Sequence, residues 1–311
     1  MEKLMHISAS PHVRSQMSTG RIMQLVLLSL MPASVYGIVH FGIQALYHIL
    51  VCMGTCLAAE FLYEAIADRP VRIWDCSSLV TGLLLALTLP VGAPLWVGAL
   101  GSAFAILIVK MIFGGIGQNI VNPALAARCF LMISFAGILT DFTADGVSGP
   151  TPLALLKAGE TVDPLPLLVG NTAGTIGETS VIALLAGALF LLMFGIIDLR
   201  IPASYLITFG LFYIFFGGYG YDSARLASQL CSGGLMLGAW FMATDFVTSP
   251  ITPRGKILYG VLLGFLTGIF RVYGSGAEGV SYAILLGNLA VPLIEKITVP
   301  RAFGRRRGKQ S

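Results

Sequence analysis

Ionisable side chains are scarce in this sequence, and those lying inside apolar runs are its first candidates for chemistry. Only 11% of the 311 residues are charged, while 56% are hydrophobic. A charge held at membrane depth is costly and by default marks a path or site for an ion or a proton. Glu60 and Glu64 stand four apart and so share one helix face, where they can line a cavity or face a cation. Near a helix end water also reaches such a pair, so a plain solvated face is an equal alternative. Lys110 ends one apolar run and Asp245 follows another, with Asn119 and Asn122 just beyond the first. These six residues are the candidates for an ion site. Glu178 and Glu278 sit at the mouths of later runs and are read as cavity-lining.

Other residue types offer less. Cys52 and Cys56 are four apart on one helix but lack a C-x-x-C or histidine partner, so buried structural thiols are the better reading. His40 and His48 show no metal-binding spacing, and no metal site is expected. No phosphate-binding loop, dinucleotide fingerprint or nucleophile elbow is present, which excludes the common soluble enzyme classes. Two polar stretches stand out. "DGVSGPTPLA", residues 145–154, gathers Asp, Ser, Gly and Thr around two prolines, and "VGNTAGTIGETS", residues 169–180, is rich in amides and hydroxyls next to a helix start. Free backbone N–H groups at a helix N-terminus favour an anion such as a phosphate, although the same residues also make ordinary loops.

These residues must be positioned by membrane helices. About 20 apolar residues cross the hydrocarbon core, and the sequence predicts an all-α polytopic membrane protein with ten membrane segments. Eight are full spans, near Ile22–Phe41, Ile43–Ala67, Pro94–Phe113, Ile120–Leu139, Thr179–Asp198, Ile201–Gly217, Gly255–Tyr273 and Val280–Ile297. Two are short, Ser77–Pro90 and Ser232–Thr244, and read as broken or half-helices, tolerated only when buried in protein or lining a cavity. The polar first 21 residues argue against a removable signal peptide. The organisation expected is a cytoplasmic tail 1–21, a first repeat 22–139, an extracytoplasmic loop 140–178, a second repeat 179–298 and a basic cytoplasmic tail 299–311. Fourteen lysines and arginines fall in one set of loops and tails and only Lys157 and Arg225 in the other. That asymmetry places both termini in the cytoplasm. The net charge of +4 lies in tails and loops, so no nucleic-acid partner is implied and membrane lipid is the surroundings.

The short segments hold matching places in the two halves. Each precedes a long helix ending in a cation (Lys110, Arg271), a glycine turn, and a last span with Asn and Pro (Asn122-Pro123; Asn288 and Pro292). Five segments per half make the repeats inverted, and paired interruptions in inverted repeats point to a midplane site. Close packing of small-residue helices is the alternative. A leucine at Gly82 or Gly238 is accordingly expected to disturb function more than membrane insertion, and Tyr219 and Tyr221 are placed at the edge of such a site.

"DGVSGPT" resembles the flavinylation motif of the D subunit of Rnf complexes and of its relative, the B subunit of the sodium-translocating NADH:quinone reductase. Asp145, Ser148, Gly149 and Thr151 match that motif, and Pro150 stands where alanine is usual. The blocks "SPHVRSQMSTGRIM", "GQNIVNPALAAR", "GTIGETS", "ATDFVTSPITPRGK" and "EGVSYAILLGNLAVPLIE" extend the resemblance along nearly the whole chain. The resemblance implies FMN attached through a phosphoester to Thr151, with Asp145, Ser148 and Gly149 forming the recognised motif. It leaves open a second, non-covalent flavin such as riboflavin, for which Glu60, Glu64, Lys110, Asn119, Asn122 and Asp245 are the same candidates as for an ion. It implies a flavin-carrying subunit in a bacterial cytoplasmic membrane. That subunit relays electrons between reduced ferredoxin and NAD, coupled to Na⁺ or H⁺ translocation, beside Rnf subunits A, B, C, E and G, after modification by a flavin transferase. Inverted repeats alone would equally suit a secondary transporter or channel for a small solute, and the Asp145–Thr151 motif is what separates the two.

Overall fold

Helices start in this protein where a small polar residue meets an apolar run. Ser18, Asn122, Thr151, Ser180, Asp222 and Thr252 each accept a backbone N–H at the first turn of the helix that follows, the arrangement that satisfies otherwise orphaned donors. The structure is a computed structural model and describes residues 17–69, 73–142, 150–218, 220–274 and 279–300. No strand occurs among the described residues. In chain order the helices are α1 (Thr19–Phe41), α2 (Ile43–Ile66), α3 (Ser77–Leu87), α4 (Leu95–Met111), α5 (Pro123–Ser134), α6 (Ala136–Leu139), α7 (Pro152–Lys157), α8 (Pro164–Val169), α9 (Val181–Met193), α10 (Arg200–Phe216), α11 (Ser223–Cys231), α12 (Leu235–Leu237), α13 (Pro253–Tyr273) and α14 (Val280–Thr298). The last part of α4, Ala105–Met111, is π-helical, and α12 runs on as a π-helical turn, Gly238–Met242. Widened turns of this kind cluster at functional sites.

Among the described residues, only α1, α2, α13 and α14 are long and apolar enough to cross a membrane by length and composition. The other expected spans are shorter. The run Ile120–Leu139 breaks between α5 and α6 at Phe135, whose φ of −132° and ψ of 40° leave the helical region. The run Thr179–Asp198 holds 13 helical residues and stops before Gly195, which has a positive φ. Apolar composition continues past these helix ends, so composition overstates helix length. The loop 140–178 contains α7 and α8, and α11 precedes the second short segment. These three helices are six, six and nine residues long, too short for a search for membrane-length apolar runs to find.

Both short segments are enclosed by protein. Ten of the eleven α3 residues are buried, and Leu235, Leu237 and all of Gly238–Met242 are buried. Elsewhere, glycine sets the helix spacing. Gly260, Gly264 and Gly268 form a stripe on α13 packed on α10. A Cβ at Gly264 would lie 2.6 Å from the Tyr205 carbonyl oxygen and 2.8 Å from the Phe209 nitrogen. Such close backbone approach is how helices associate where lipid removes any hydrophobic drive. At one end of this pair Lys256 reaches Asp198 at 3.2 Å and Arg200 reaches it at 3.1 Å. These ion pairs are partly exposed and add little beyond the packing.

Candidate functional site

The helix breaks leave a cavity between the two short segments. Its walls come from α1 (Ile22, Met23, Val26), the first turns of α3 (Ser77, Val80, Thr81, Leu84), and the far end of the second short segment (Phe241, Thr244, Asp245), with Leu191, Ile196 and Ile197 behind. The empty space is about 750 Å³, part of it open to solvent. Apolar walls face a polar edge made by Lys110, Asn119, Asn122 and Asp245. Four of the six candidate residues from the sequence therefore converge here.

Each polar residue is set by a helix end. Asn122 caps α5, its Oδ1 accepting from the N–H groups of Ala124 (3.0 Å) and Leu125 (3.4 Å). The Asn122 N–H donates to the Asn288 amide oxygen at 3.1 Å once that amide is turned to satisfy its neighbours, an assignment made from the hydrogen-bond network. The Asn-Pro step before α5 and the asparagine of α14 thus meet. Asp245 Oδ2 accepts from Thr248 Oγ1 at 3.1 Å. Asn119 Oδ1 is buried and has no hydrogen-bond partner. Orphaned polar atoms beside a cavity ask for a ligand or water, because leaving them unmade is expensive.

Lys110 is 2% exposed and pairs with Glu60 Oε1 at 2.6 Å, while donating to Ser77 Oγ at the same distance. Glu60 and Glu64, both buried, lie outside the main cavity. With Arg69, Asp75, Met111, Gly114, Gly115 and Ile116 they line a second cavity enclosing about 540 Å³. The later cation, Arg271, behaves correspondingly: its Nη2 donates to the Ser232 carbonyl at 2.9 Å and its Nη1 to that of Gln229 at 2.6 Å. In each half the cation closing a long helix reaches the start of the preceding short segment.

A third pocket, of about 360 Å³, holds Thr151. Thr151 is half-buried and caps α7, its Oγ1 accepting from the Ala154 N–H at 3.3 Å. Facing it are Thr172, Ala173, Gly174, Glu178 and Thr179 of the Gly-rich stretch, with Cys231 and Gly233 from the entry to the second short segment. Thr175 Oγ1, one residue along, is buried without a partner. The two stretches singled out in the sequence thus form one pocket. Asp145, Ser148 and Gly149 lie outside the described residues, as do Glu278 and Tyr219. Tyr221 is exposed and lines none of these pockets.

Sequence reasoning passed over Arg128, which pairs with Glu178 at 3.0 Å with both side chains nearly fully buried. Its signal was an arginine inside an apolar run. The loop carrying Thr151 is fastened to α11 and α13: the Arg225 guanidinium donates to the carbonyls of Gly159 and Glu160, Ser228 Oγ to that of Val162, and Lys157 to that of Gly274. Cys52 and Cys56 are buried and free, and no metal-binding cluster occurs among the described residues.

Interrupted, buried helices beside cavities, packed by four long apolar helices, define a multi-pass helical membrane protein. The chain belongs to the family described as the NQR2, RnfD, RnfE family, which it matches over residues 6–304. It is 46% identical to the D subunit of the Na(+)-translocating ferredoxin:NAD(+) oxidoreductase complex of Acetobacterium woodii, over 96% of this chain and 95% of that one. It is 40% identical to the D subunit of the proton-translocating ferredoxin:NAD(+) oxidoreductase complex of Clostridium ljungdahlii, over 97% and 96%. The D subunit of the ion-translocating oxidoreductase complex of Yersinia pseudotuberculosis is 36% identical over 98% and 99%.

Proposed function

We propose that this chain is the flavin-carrying membrane subunit of an ion-translocating ferredoxin:NAD oxidoreductase of the Rnf type. The observation that carries the reading is the pocket shared by Thr151 and the Gly-rich stretch. Thr151 Oγ1 would anchor FMN through a phosphoester. Thr172, Thr179 and the backbone around Gly174 offer hydroxyl and amide groups to a phosphate beside it, and a Cβ at Gly174 would meet nothing within 4 Å. A bound flavin supplies electron exchange in steps of one or two, and the protein supplies its position and electrostatics.

The lining of the cavity between the short segments supports, by its chemistry, a second, non-covalent flavin there. A flat ring needs apolar faces and a polar edge, which Val80, Leu84 and Phe241 opposite Asn119, Asn122, Asp245 and Lys110 provide. Asn119 Oδ1 would accept from a ring N–H, and the Lys110 ammonium would favour an electron-rich ring nearby. The second short segment touches both pockets, with Gly233 at one end and Phe241, Thr244 and Asp245 at the other, so one element of the fold would connect the two flavins.

The matching contacts of Lys110 and Arg271 support ten membrane segments in two inverted halves, 22–139 and 179–298, with the 140–178 loop outside and both termini in the bacterial cytoplasm. Rnf subunits A, B, C, E and G and a flavin transferase are the partners this reading requires, with Na⁺ or H⁺ as the translocated ion. Thr151→Ala in flavin-competent cells tests it. The tryptic peptide around residue 151 should carry the mass of FMN in the wild type and be unmodified in the variant, with both chains recovered from membranes. An unmodified wild-type peptide would remove the covalent flavin from the reading.

A further inference from the structure

Two buried arginines from opposite halves of the chain face one small cavity. Arg128 of α5 is 5% exposed and Arg271 of α13 is 6% exposed. Both line a space bounded by Met242 of the second short segment and by Val280 and Ser281. The volume open to the centre of a water-sized particle is about 10 Å³, roughly what one water or one monatomic ion requires. An extended organic ligand does not fit. Val280 and Ser281 are the first two residues of α14, which follows Gly279 without a side-chain cap. The positive end of a long helix therefore adjoins the two guanidinium groups. Glu178 meets Arg128 Nη1 at 3.0 Å from the side of the Thr151 pocket. Arg271 donates to the Gln229 and Ser232 carbonyls, which are dipoles and not charges. Two guanidinium ions facing one water-sized space in a low-dielectric interior repel each other, and an anion between them offsets that repulsion.

We propose that this cavity binds one monatomic anion of the halide class, held by Arg128, Arg271 and the start of α14. The charge of the lining selects an anion over a cation, and the volume selects a monatomic ion over phosphate or sulfate. The position of the site gives the anion a role. On one side Glu178 connects Arg128 to the Thr151 pocket. On the other, the Met242 carbonyl accepts from Asn122 Nδ2 at 3.5 Å, and Asn122 lines the main cavity. A fixed negative charge between the two pockets acts on both, since Coulomb interactions reach far in a poorly screened interior. It also fastens the second short segment to α5 and α14, where the two halves of the chain meet.

Binding of radioactive ³⁶Cl⁻ to the purified full-length chain in gluconate buffer tests the site. The wild type should bind chloride saturably, with bromide competing and sulfate and inorganic phosphate not competing. Its unfolding temperature should rise with chloride and not with gluconate at equal ionic strength. Arg271→Gln keeps an amide donor for the α11 carbonyls but removes the charge, and should weaken chloride binding about tenfold or more. Ser281→Leu leaves both arginines in place and fills the cavity, so it should lose binding too and decides the matter if Arg271→Gln does not fold. Arg225 is buried but does not line this cavity, and Arg225→Gln should bind chloride as the wild type does. Absence of saturable binding in the wild type overturns the proposal and leaves the space to water. Undiminished binding in either cavity variant, equal loss in Arg225→Gln, or competition by sulfate as strong as by bromide also overturns it. None of the residues lining the cavity lines the Thr151 pocket, so the proposal goes beyond the flavin reading. Chloride binding by Thr151→Ala protein should match the wild type even if Thr151 never carried FMN.

Discussion

Thr151 performs one function by its oxygen as a cap and is assigned another as an attachment point, and these can be separated. Its Oγ1 accepts the Ala154 N–H, and replacing a capping threonine with alanine costs about 1 kcal/mol of local helix stability. Asparagine caps equally well but has no hydroxyl to esterify. Thr151→Asn should therefore keep α7 intact while losing all covalent flavin, checked by in-gel fluorescence of the denatured chain and by hydrogen exchange at residues 152–157. Fluorescence retained in Thr151→Asn would place the flavin elsewhere. At this scale the sequence was legible for Lys110, Asn119, Asn122 and Asp245, because an ionisable or amide group next to an apolar run has few reasons to be there. Glu60 and Glu64 lie one cavity away, on a helix face that only the packing of α2 against α4 reveals. Arg128 escaped notice because its partner, Glu178, is 50 positions along the chain.

Among the elements, the glycines divide by what they touch. A Cβ at Gly82 would lie 2.8 Å from the Cys52 carbonyl oxygen and from the Met53 Cα, whereas one at Gly238 would meet the side chains of Val280 and Ile284. Side chains can move and a neighbouring helix backbone cannot without repacking. Gly82→Leu is thus a folding lesion rather than a probe of the cavity, contrary to the expectation that both glycines report on function. The α13 stripe behaves like Gly82. Gly264→Leu would force α10 and α13 apart and should cost more than the about 1–3 kcal/mol usual for overpacking, seen as a lowered unfolding temperature or failure to assemble. The loop latch belongs to this scale as well. Arg225→Gln removes the guanidinium from the Gly159 and Glu160 carbonyls, and hydrogen exchange across 151–163 should rise while that of α13 does not. An unchanged loop would show that Ser228 and Lys157 hold it alone. Neither the latch nor α11 was legible, because donors to loop carbonyls carry no periodicity.

Across the whole molecule, the chain reads as a membrane protein from composition alone, and its helical class, its four long helices and its two buried interruptions follow from the same runs. The helix lengths do not: Phe135 and Gly195 end helices inside apolar stretches, where hydropathy has no signal. Orientation is the remaining property of this scale, and charge predicts it. Lys157 and Arg225 lie with the Thr151 loop, while Arg69, Arg200, Arg254, Lys256 and Lys296 lie at connections of the other set. Moving so many cations across the membrane is strongly disfavoured, so the Thr151 loop should face outward. The native thiols make this simple to read. Cys52, Cys56, Cys129 and Cys231 are buried and only Cys76, on the other set of connections, is half-exposed. Ala158 is exposed in the loop. An impermeant thiol reagent on intact cells should label the Ala158→Cys chain and leave the wild type unlabelled, with Cys76 reacting only after the membrane is opened. Labelling of Cys76 in intact cells, or of position 158 only after lysis, would invert the orientation and move the Thr151 pocket to the cytoplasmic side.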